Sequence, residues 1–292
     1  MGATDARILI SGATGHVGSE LAKALSQKGV RFRAMVRSAG RTPELASLPG
    51  IELVNGDFDD RETLARALNG VERAFLLTAS SERAEAQQRA FVDAARQEGV
   101  RLIVKLSQWA ADRSSPVRFL RSHAAGEAAI RDSGMAYTFL RPNLFMQGLL
   151  GFRSTIVATG QFFAAAEDAK ISAIDVRDIA LVAAAALVER GHEGKVYDLT
   201  GPAALTHAEM AAQLGSALGR PVSFVNVPPD AMRDALLSAG FPEWQADGLI
   251  EDYAHYRRGE ASAVASGVKD ATGRSPRTFA EFARDYAAAF TS

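Results

Sequence analysis

Over its first 140 residues the chain alternates short apolar, β-branched runs with longer stretches whose apolar residues recur at helical spacing. This alternation constrains the fold more than any other feature. Residues 7–11, 30–36, 51–54, 71–77, 101–106 and 136–140 read as strands, and residues 17–27, 61–68, 84–97 and 118–132 as helices. A strand-then-helix pattern, repeated, describes a parallel sheet with helices on both faces, because parallel neighbours need a long crossover that packs back on the sheet. Gly29 and Gly99 stop two of these helices, and Asp59 with Glu62 reads as a capping box.

After Pro142 the pattern changes. Residues 156–163 and 170–174 read as short strands around a polar turn, and 175–189 as an Ala-rich helix opened by acidic residues. Residues 195–199 and 222–227 are two more strands, the latter closed by Pro228-Pro229. Helices are expected at 206–218, opened by Thr206 and Glu209, then at 231–239, 243–257 and 279–290. The expected architecture is an α/β, Rossmann-type, doubly wound parallel sheet with a smaller, mostly helical lobe. Residues 1–150 would form the sheet domain, with 171–200 returning to it, and 151–292 the lobe.

Composition removes whole classes of function. None of the 292 residues is cysteine, which excludes disulfides, zinc fingers, iron–sulfur clusters and thiol nucleophiles. Lys plus Arg number 33 against 34 Asp plus Glu, so the basic excess of a nucleic-acid binder is missing. The longest apolar run, 179–188, is far below the roughly 20 residues that cross a bilayer. No leader, myristoylation or prenylation pattern is evident, and the expectation is a soluble, cytoplasmic protein. His192, His207 and His255 have no partners at metal spacing, and no metal site is expected. There is also no G-x-S-x-G elbow.

Directly after the first strand comes Gly12-Ala13-Thr14-Gly15-His16-Val17-Gly18, running on into a helix. A turn this tight uses one glycine where the chain reverses, one where backbone approaches a pyrophosphate and one where helix packs on strand. Phosphate then rests on free N–H groups at the helix end. The spacing is G-x-x-G-x-x-G, and its place between strand and helix makes it a dinucleotide site. Bulk at Gly12 or Gly15 is expected to block the cofactor while the protein stays folded. The second strand ends at Arg37. Between Gly29 and Pro43 there is no carboxylate to hold a ribose 2′-hydroxyl, but there are Arg31, Arg33, Arg37 and Arg41. A guanidinium suits a 2′-phosphate, so NADP(H) is the expected cofactor, with Arg37 its reader and Arg31 and Arg33 solvated. Asp57 either reaches the adenine amino group or caps the next helix.

These segments resemble the NmrA-like branch of atypical short-chain dehydrogenases/reductases, which includes NAD(P)H:quinone and triphenylmethane-dye reductases. The likeness rests on the glycine loop, Met35-Val36-Arg37, Gly56-Asp57-Phe58-Asp59 and Tyr137-Thr138-Phe139-Leu140-Arg141-Pro142. It continues through Asp175-Val176-Arg177-Asp178-Ile179-Ala180 and Gly273-Arg274-Ser275-Pro276-Arg277-Thr278-Phe279. It implies a nicotinamide cofactor across the carboxyl ends of the strands, with substrate between the sheet and the lobe. Phe58, Thr78, Lys105 and Pro142 join the candidate cofactor set. Asn143, Phe145 and Met146, which follow the sixth strand, are the candidate substrate contacts. The other large aromatics, Phe152, Phe162, Phe163 and Trp244, are expected mostly in the core.

Ordinary members of the superfamily carry Tyr-x-x-x-Lys on the helix after strand five, the lysine lowering the tyrosine pKa. Here that stretch reads Ser122-His123-Ala124-Ala125-Gly126-Glu127. Ser107 resembles the superfamily's serine. His123 and Glu127, four apart, share a helix face, so His123 could move a proton with Glu127 holding its ring, or the two are a surface pair. Lys105 points either into the cleft or to solvent. Two functions fit. One is an NADPH-dependent reductase of a conjugated, electron-poor acceptor such as a quinone, dye, enone or iminium, which needs little acid catalysis. The other is a non-catalytic NADP(H) sensor of the NmrA kind. Neither involves direct nucleic-acid or membrane contact, and both leave room for a homodimer.

Overall fold

The computed structural model describes residues 7–38 and 42–291. Arg41 lies outside them. The expected β-then-α order is present: β1 (Ile8–Ile10), α1 (His16–Gln27), β2 (Phe32–Val36), α2 (Pro43–Ala46), β3 (Ile51–Asn55), α3 (Arg61–Leu68), β4 (Arg73–Leu76), α4 (Ala84–Gln97), β5 (Leu102–Leu106), α5 (Arg118–Asp132) and β6 (Ala136–Pro142). Further on come α6 (Arg153–Thr159), β7 (Gln161–Ala164), α7 (Val176–Val188), β8 (Lys195–Leu199), α8 (His207–Leu218), β9 (Ser223–Asn226), α9 (Pro229–Ser238), α10 (Glu243–Arg257), α11 (Gly267–Thr272) and α12 (Phe279–Asp285).

Seven strands form one sheet in the order β3, β2, β1, β4, β5, β6, β8, every pair parallel. The order reverses beside β1, the switch point at which open α/β sheets bind ligands. Alternate residues of each strand serve opposite faces. Ile8, Ile10, Phe75, Val104 and Leu106 pack with α1 and α7, whereas Leu9, Ala74, Leu76, Ile103 and Phe139 pack with α3, α4 and α5. Lys105 follows Ile103 on that second face and is 1% exposed. β7 and β9 make a separate two-stranded parallel sheet. The Asp175–Asp178 stretch ties the last segments down: Asp175 caps α7, Arg177 bridges Asp175 and Asp285, and Arg277 pairs with the buried Asp178.

Four sequence expectations change. The stretch 156–163 is not one strand: α6 ends at Gly160, at φ +69°, and only then does β7 begin. Thr155, Ile156 and Val157 are β-branched, but only Ile156 is buried, a helical spacing of burial that overrides propensity. Residues 170–174 make isolated bridges, Ile171 with Leu205 and Ile174 with Phe145, and no strand. The cap of α3 is Asp60, whose carboxylate accepts from the N–H groups of Glu62 and Thr63. The last helix stops at Asp285 and continues as a 3₁₀ turn, Ala287–Phe290. Another 3₁₀ turn, Met146–Phe152, together with α2 and α11, had no clear periodicity to announce it.

Candidate functional site

The glycine loop leaves β1 at the switch point. At Gly12 φ is +66°, and a Cβ would lie 2.7 Å from Leu77 Cγ, so this turn needs glycine for its own geometry. At Gly18 a Cβ would stand 2.1 Å from the Gly12 carbonyl oxygen, so helix and loop touch backbone to backbone. Gly15 differs: a Cβ there would meet only the Gly12 oxygen, at 3.5 Å. The chain itself does not require glycine at Gly15, whereas a close-lying pyrophosphate would. Gly12 is thus a folding residue as well, correcting the expectation that bulk there leaves the fold intact.

Thr14, Gly15 and His16 are exposed, with Gly15 in the N-cap position of α1 and no acidic residue in the first turn. The leading N–H groups of a helix have no carbonyl ahead of them, and here the first turn sets no carboxylate against an anion. The Val17 side chain is buried in the core, so only its backbone can serve a ligand. Arg37 is exposed and makes no hydrogen bond or ion pair among the described residues. Arg31 is exposed too, but Arg33 is not merely solvated: it bonds Glu52 at 3.2 Å and the Asn69 carbonyl at 2.5 Å, clamping β2 to β3 and α3. The Asp57 carboxylate accepts from the Asp59 N–H at 3.0 Å, shaping the turn before α3, while Phe58 leans on Phe91, 5.8 Å between centroids. These features fit a dinucleotide carrying a 2′-phosphate.

Beside Leu77 opens a cavity of about 270 Å³ at the carboxyl ends of β4, β5 and β6. Thr78, Ser107, His123, Pro142, Asn143 and Phe145 line it from the sheet side, and α10 closes it with Asp252 and Tyr256. The Thr78 hydroxyl accepts from Gln88 Nε2 at 3.0 Å. Asn143 is spent on the scaffold, its amide donating to Ser172 and to the Ala261 carbonyl while its oxygen accepts from the Leu144 N–H. Met146 points elsewhere, into an apolar cluster and a second cavity beside Met210 and Phe279, so it does not contact this site. Phe162 is fully buried, with Phe152 packed against it and Phe163, and Trp244 rests on Phe119.

The polar heart of the site is wired differently from the expectation. Glu127 is buried, but it does not brace His123. Its carboxylate accepts from Ser107 Oγ at 2.6 Å and from Arg141 at 2.8 and 2.6 Å, with Arg131 at 3.3 Å. Burial alone would raise its pKa; the Arg141 and Ser107 bonds outweigh that and hold it below the usual carboxylate range. The Ser107 proton is therefore committed to Glu127.

Lys105 takes the place beside His123. Its Nζ lies 3.0 Å from His123 Nδ1 and donates to the Leu106 carbonyl at 3.0 Å. Its stem passes beneath Gly126, where a Cβ would stand 2.7 Å from Lys105 Cε and 1.9 Å from Gln88 Oε1. The glycine in the middle of α5 makes room for a strand lysine. Burial drives the Lys105 pKa down to about 7, against the pull of Glu127. Burial first, and then the Lys105 charge, pushes His123 well below its ordinary value.

Sequence periodicity predicts the helix 243–257 with the bounds of α10, but not that it walls this site. Asp252 accepts from Gln108 Nε2 at 3.2 and 3.0 Å, and burial raises its pKa to about 7. No helix of the described residues is long and apolar enough to cross a membrane.

The comparisons agree with this geometry. The chain is 39% identical over 283 residues to an NAD(P)H azoreductase of Xenophilus azovorans, covering 97% of this chain and 99% of that one. It is 34% identical over 247 residues to quinone oxidoreductase 2 of Escherichia coli, covering 84% and 86%. The crystal structure of the E. coli NADPH-dependent quinone oxidoreductase with NADPH superposes with a TM-score of 0.85 at 32% identity, covering 95% and 99%. The Citrobacter sp. triphenylmethane reductase with NADP(H) gives 0.84 at 28%, covering 96% and 99%. The NmrA-like family profile matches residues 4–283, and with this fold, this loop and these relatives the chain belongs to the NmrA-like family.

Proposed function

We propose that the protein is an NADPH-dependent reductase of small, conjugated, electron-poor molecules such as quinones, dyes, enones or iminium ions. The observation that carries this is the cavity at the strand ends, which adjoins the glycine loop through Leu77 and places His123, backed by Lys105, on its wall. The cofactor, when bound, supplies hydride. The backbone of Gly12–Gly18 would hold its phosphates, and Arg37 its 2′-phosphate. In this reading residues 1–150 with 171–200 carry the cofactor, and the rest of 151–292 covers the acceptor. A cytoplasmic location goes with it.

Proton delivery falls to the Lys105–His123 pair. A protonated Lys105 can only donate, so Nδ1 of His123 accepts and Nε2 carries the imidazole proton. His123 then hands the Nε2 proton to a reduced oxygen or nitrogen in the cavity while drawing one from Lys105 onto Nδ1. The imidazole stays neutral overall, as its depressed pKa requires. Ser107, Glu127 and Arg141 form a closed ion pair that fixes the end of β5 against α5.

Absorbance-monitored NADPH oxidation against a panel of quinones, azo and triphenylmethane dyes, enones and iminium salts tests the assignment. Turnover of at least one class is expected. Tight NADPH binding with no turnover of any acceptor would favour the NADP(H)-sensor alternative.

A further inference from the structure

Four carboxylates are buried among the described residues: Glu127, Asp175, Asp178 and Asp252. Three are met by a guanidinium: Glu127 by Arg141 and Arg131, Asp175 by Arg177, and Asp178 by Arg277. A buried carboxylate without a cation is costly, because the attraction that repays its desolvation is missing. Asp252, 6% exposed, bears that cost, with only the neutral Gln108 amide across both its oxygens. It is also the one of the four that faces the cavity proposed to receive the acceptor.

Its surroundings are those of a site for a flat cation. Tyr256, one turn further along α10, lines the same cavity, as do Trp109, Phe119 and Phe145. Aromatic faces attract cations and stack on planar rings. The basic side chains nearby are engaged elsewhere, Arg118 with Glu251 and Asp247, Arg141 with Glu127, and His255, which lines the same cavity, with Glu260, so the described residues provide no ion pair for Asp252.

We infer that Asp252 is a specificity-determining residue, whose carboxylate pairs with a positively charged, planar aromatic or iminium acceptor bound in the cavity against Tyr256 and Phe145. This rests on the reductase reading and narrows it to cationic acceptors. Gln108 orients the carboxylate and leaves its remaining lone pairs to the ligand.

The test uses the full-length protein loaded with NADP⁺, which has no hydride to give, so binding is read without turnover. N-methylquinolinium and its neutral counterpart quinoline are titrated by fluorescence at about pH 8.5, above the Asp252 value of about 7. Asp252→Asn should weaken the cation by about 10- to 100-fold, the scale of a hydrogen bond or contact to a charged group, and leave quinoline unchanged. Gln108→Met removes the amide but not the carboxylate; because that bond also holds the Asp252 pKa down, this variant is titrated about one pH unit higher, where the carboxylate is still ionised, and should retain most of the cation's affinity. Equal loss of both probes, loss of neither, or a cation lost as fully in Gln108→Met as in Asp252→Asn would overturn the inference and make the pair a structural clamp. Selective weakening of NADP⁺ relative to NADPH in Asp252→Asn would overturn it too, giving the carboxylate to the cofactor's own ring. A protein that turns over the acceptor panel but binds both probes alike fails here alone, whereas one that binds the cation through Asp252 but reduces nothing fails only as a reductase.

Discussion

Replacing Lys105 with methionine should make the protein more stable and a poorer catalyst. The ammonium is 1% exposed, and its pKa falls from 10.5 to about 7. At about 1.36 kcal/mol per pK unit, keeping it there costs about 5 kcal/mol of folding free energy wherever the folded protein holds the proton. Methionine keeps the unbranched stem without the charge. It leaves the Leu106 carbonyl and His123 Nδ1 without their donor, a loss of about 1–1.5 kcal/mol each. The net gain is about 2–3 kcal/mol, or about 3–5 °C in Tm for a chain of this length. Because the folded pKa is the lower one, the penalty is complete below about pH 7 and is released as pH rises toward 10.5, where the folded lysine is neutral and the unfolded one still charged. The gain should therefore be full near pH 6 and gone by about pH 9.5. Urea and thermal unfolding of both proteins at the two pH values measure it. A methionine variant less stable than its parent at pH 6, or a gain equally large at pH 9.5, would refute the burial argument.

For acceptors whose product must take a proton, kcat/KM should fall as pH rises past about 7, as Lys105 deprotonates, and Lys105→Met should erase that limb of the profile. His123→Ala should lower kcat on quinones by about 10²–10⁴-fold with NADPH affinity intact, while a cationic acceptor that becomes neutral on reduction is spared. Arg37→Ala should weaken NADPH by about 1–3 kcal/mol and leave NADH alone, read by calorimetry with both cofactors; equal losses would remove Arg37 from the 2′-phosphate. Gly15→Val should keep the unfolding midpoint and lose the cofactor, whereas Gly18→Ala should lower the midpoint itself, because only the latter drives a Cβ into the Gly12 oxygen.

The alternating half of the chain was readable because each element there carries its own period and its own stop, as in 61–68, 84–97 and 118–132, whose helix bounds match the structure. The glycine loop was readable for the same local reason. What sequence could not supply was which partner a side chain chooses across the sheet. His123 and Glu127 do share a face of α5, but Arg141, arriving on β6, captures the carboxylate, and Lys105, arriving on β5, captures the imidazole. A faint local signal existed in Gly126, since glycine inside a helix usually marks a close neighbour, here the lysine stem. Asp252 offered no such signal: it lies on α10, and its meaning comes from facing a loop 144 residues away in the chain.

The place of β8 in the sheet has a consequence for how the chain is born. It pairs along β6, Thr138 opposite Lys195, and α7 packs across α1, so the sheet's last strand and one of its covering helices are synthesised after the intervening 3₁₀ turn, α6 and β7. At translation speeds of about 5–20 residues per second, β6 waits several seconds with one edge unpaired and the α1 side of the sheet partly bare. An open, apolar edge of that kind is a template for pairing with another nascent chain. Crowding on the polysome, or slow codons between β6 and β8, would lengthen the wait, so the yield of soluble protein should depend on the pace of translation through this stretch as well as on the final stability of the fold.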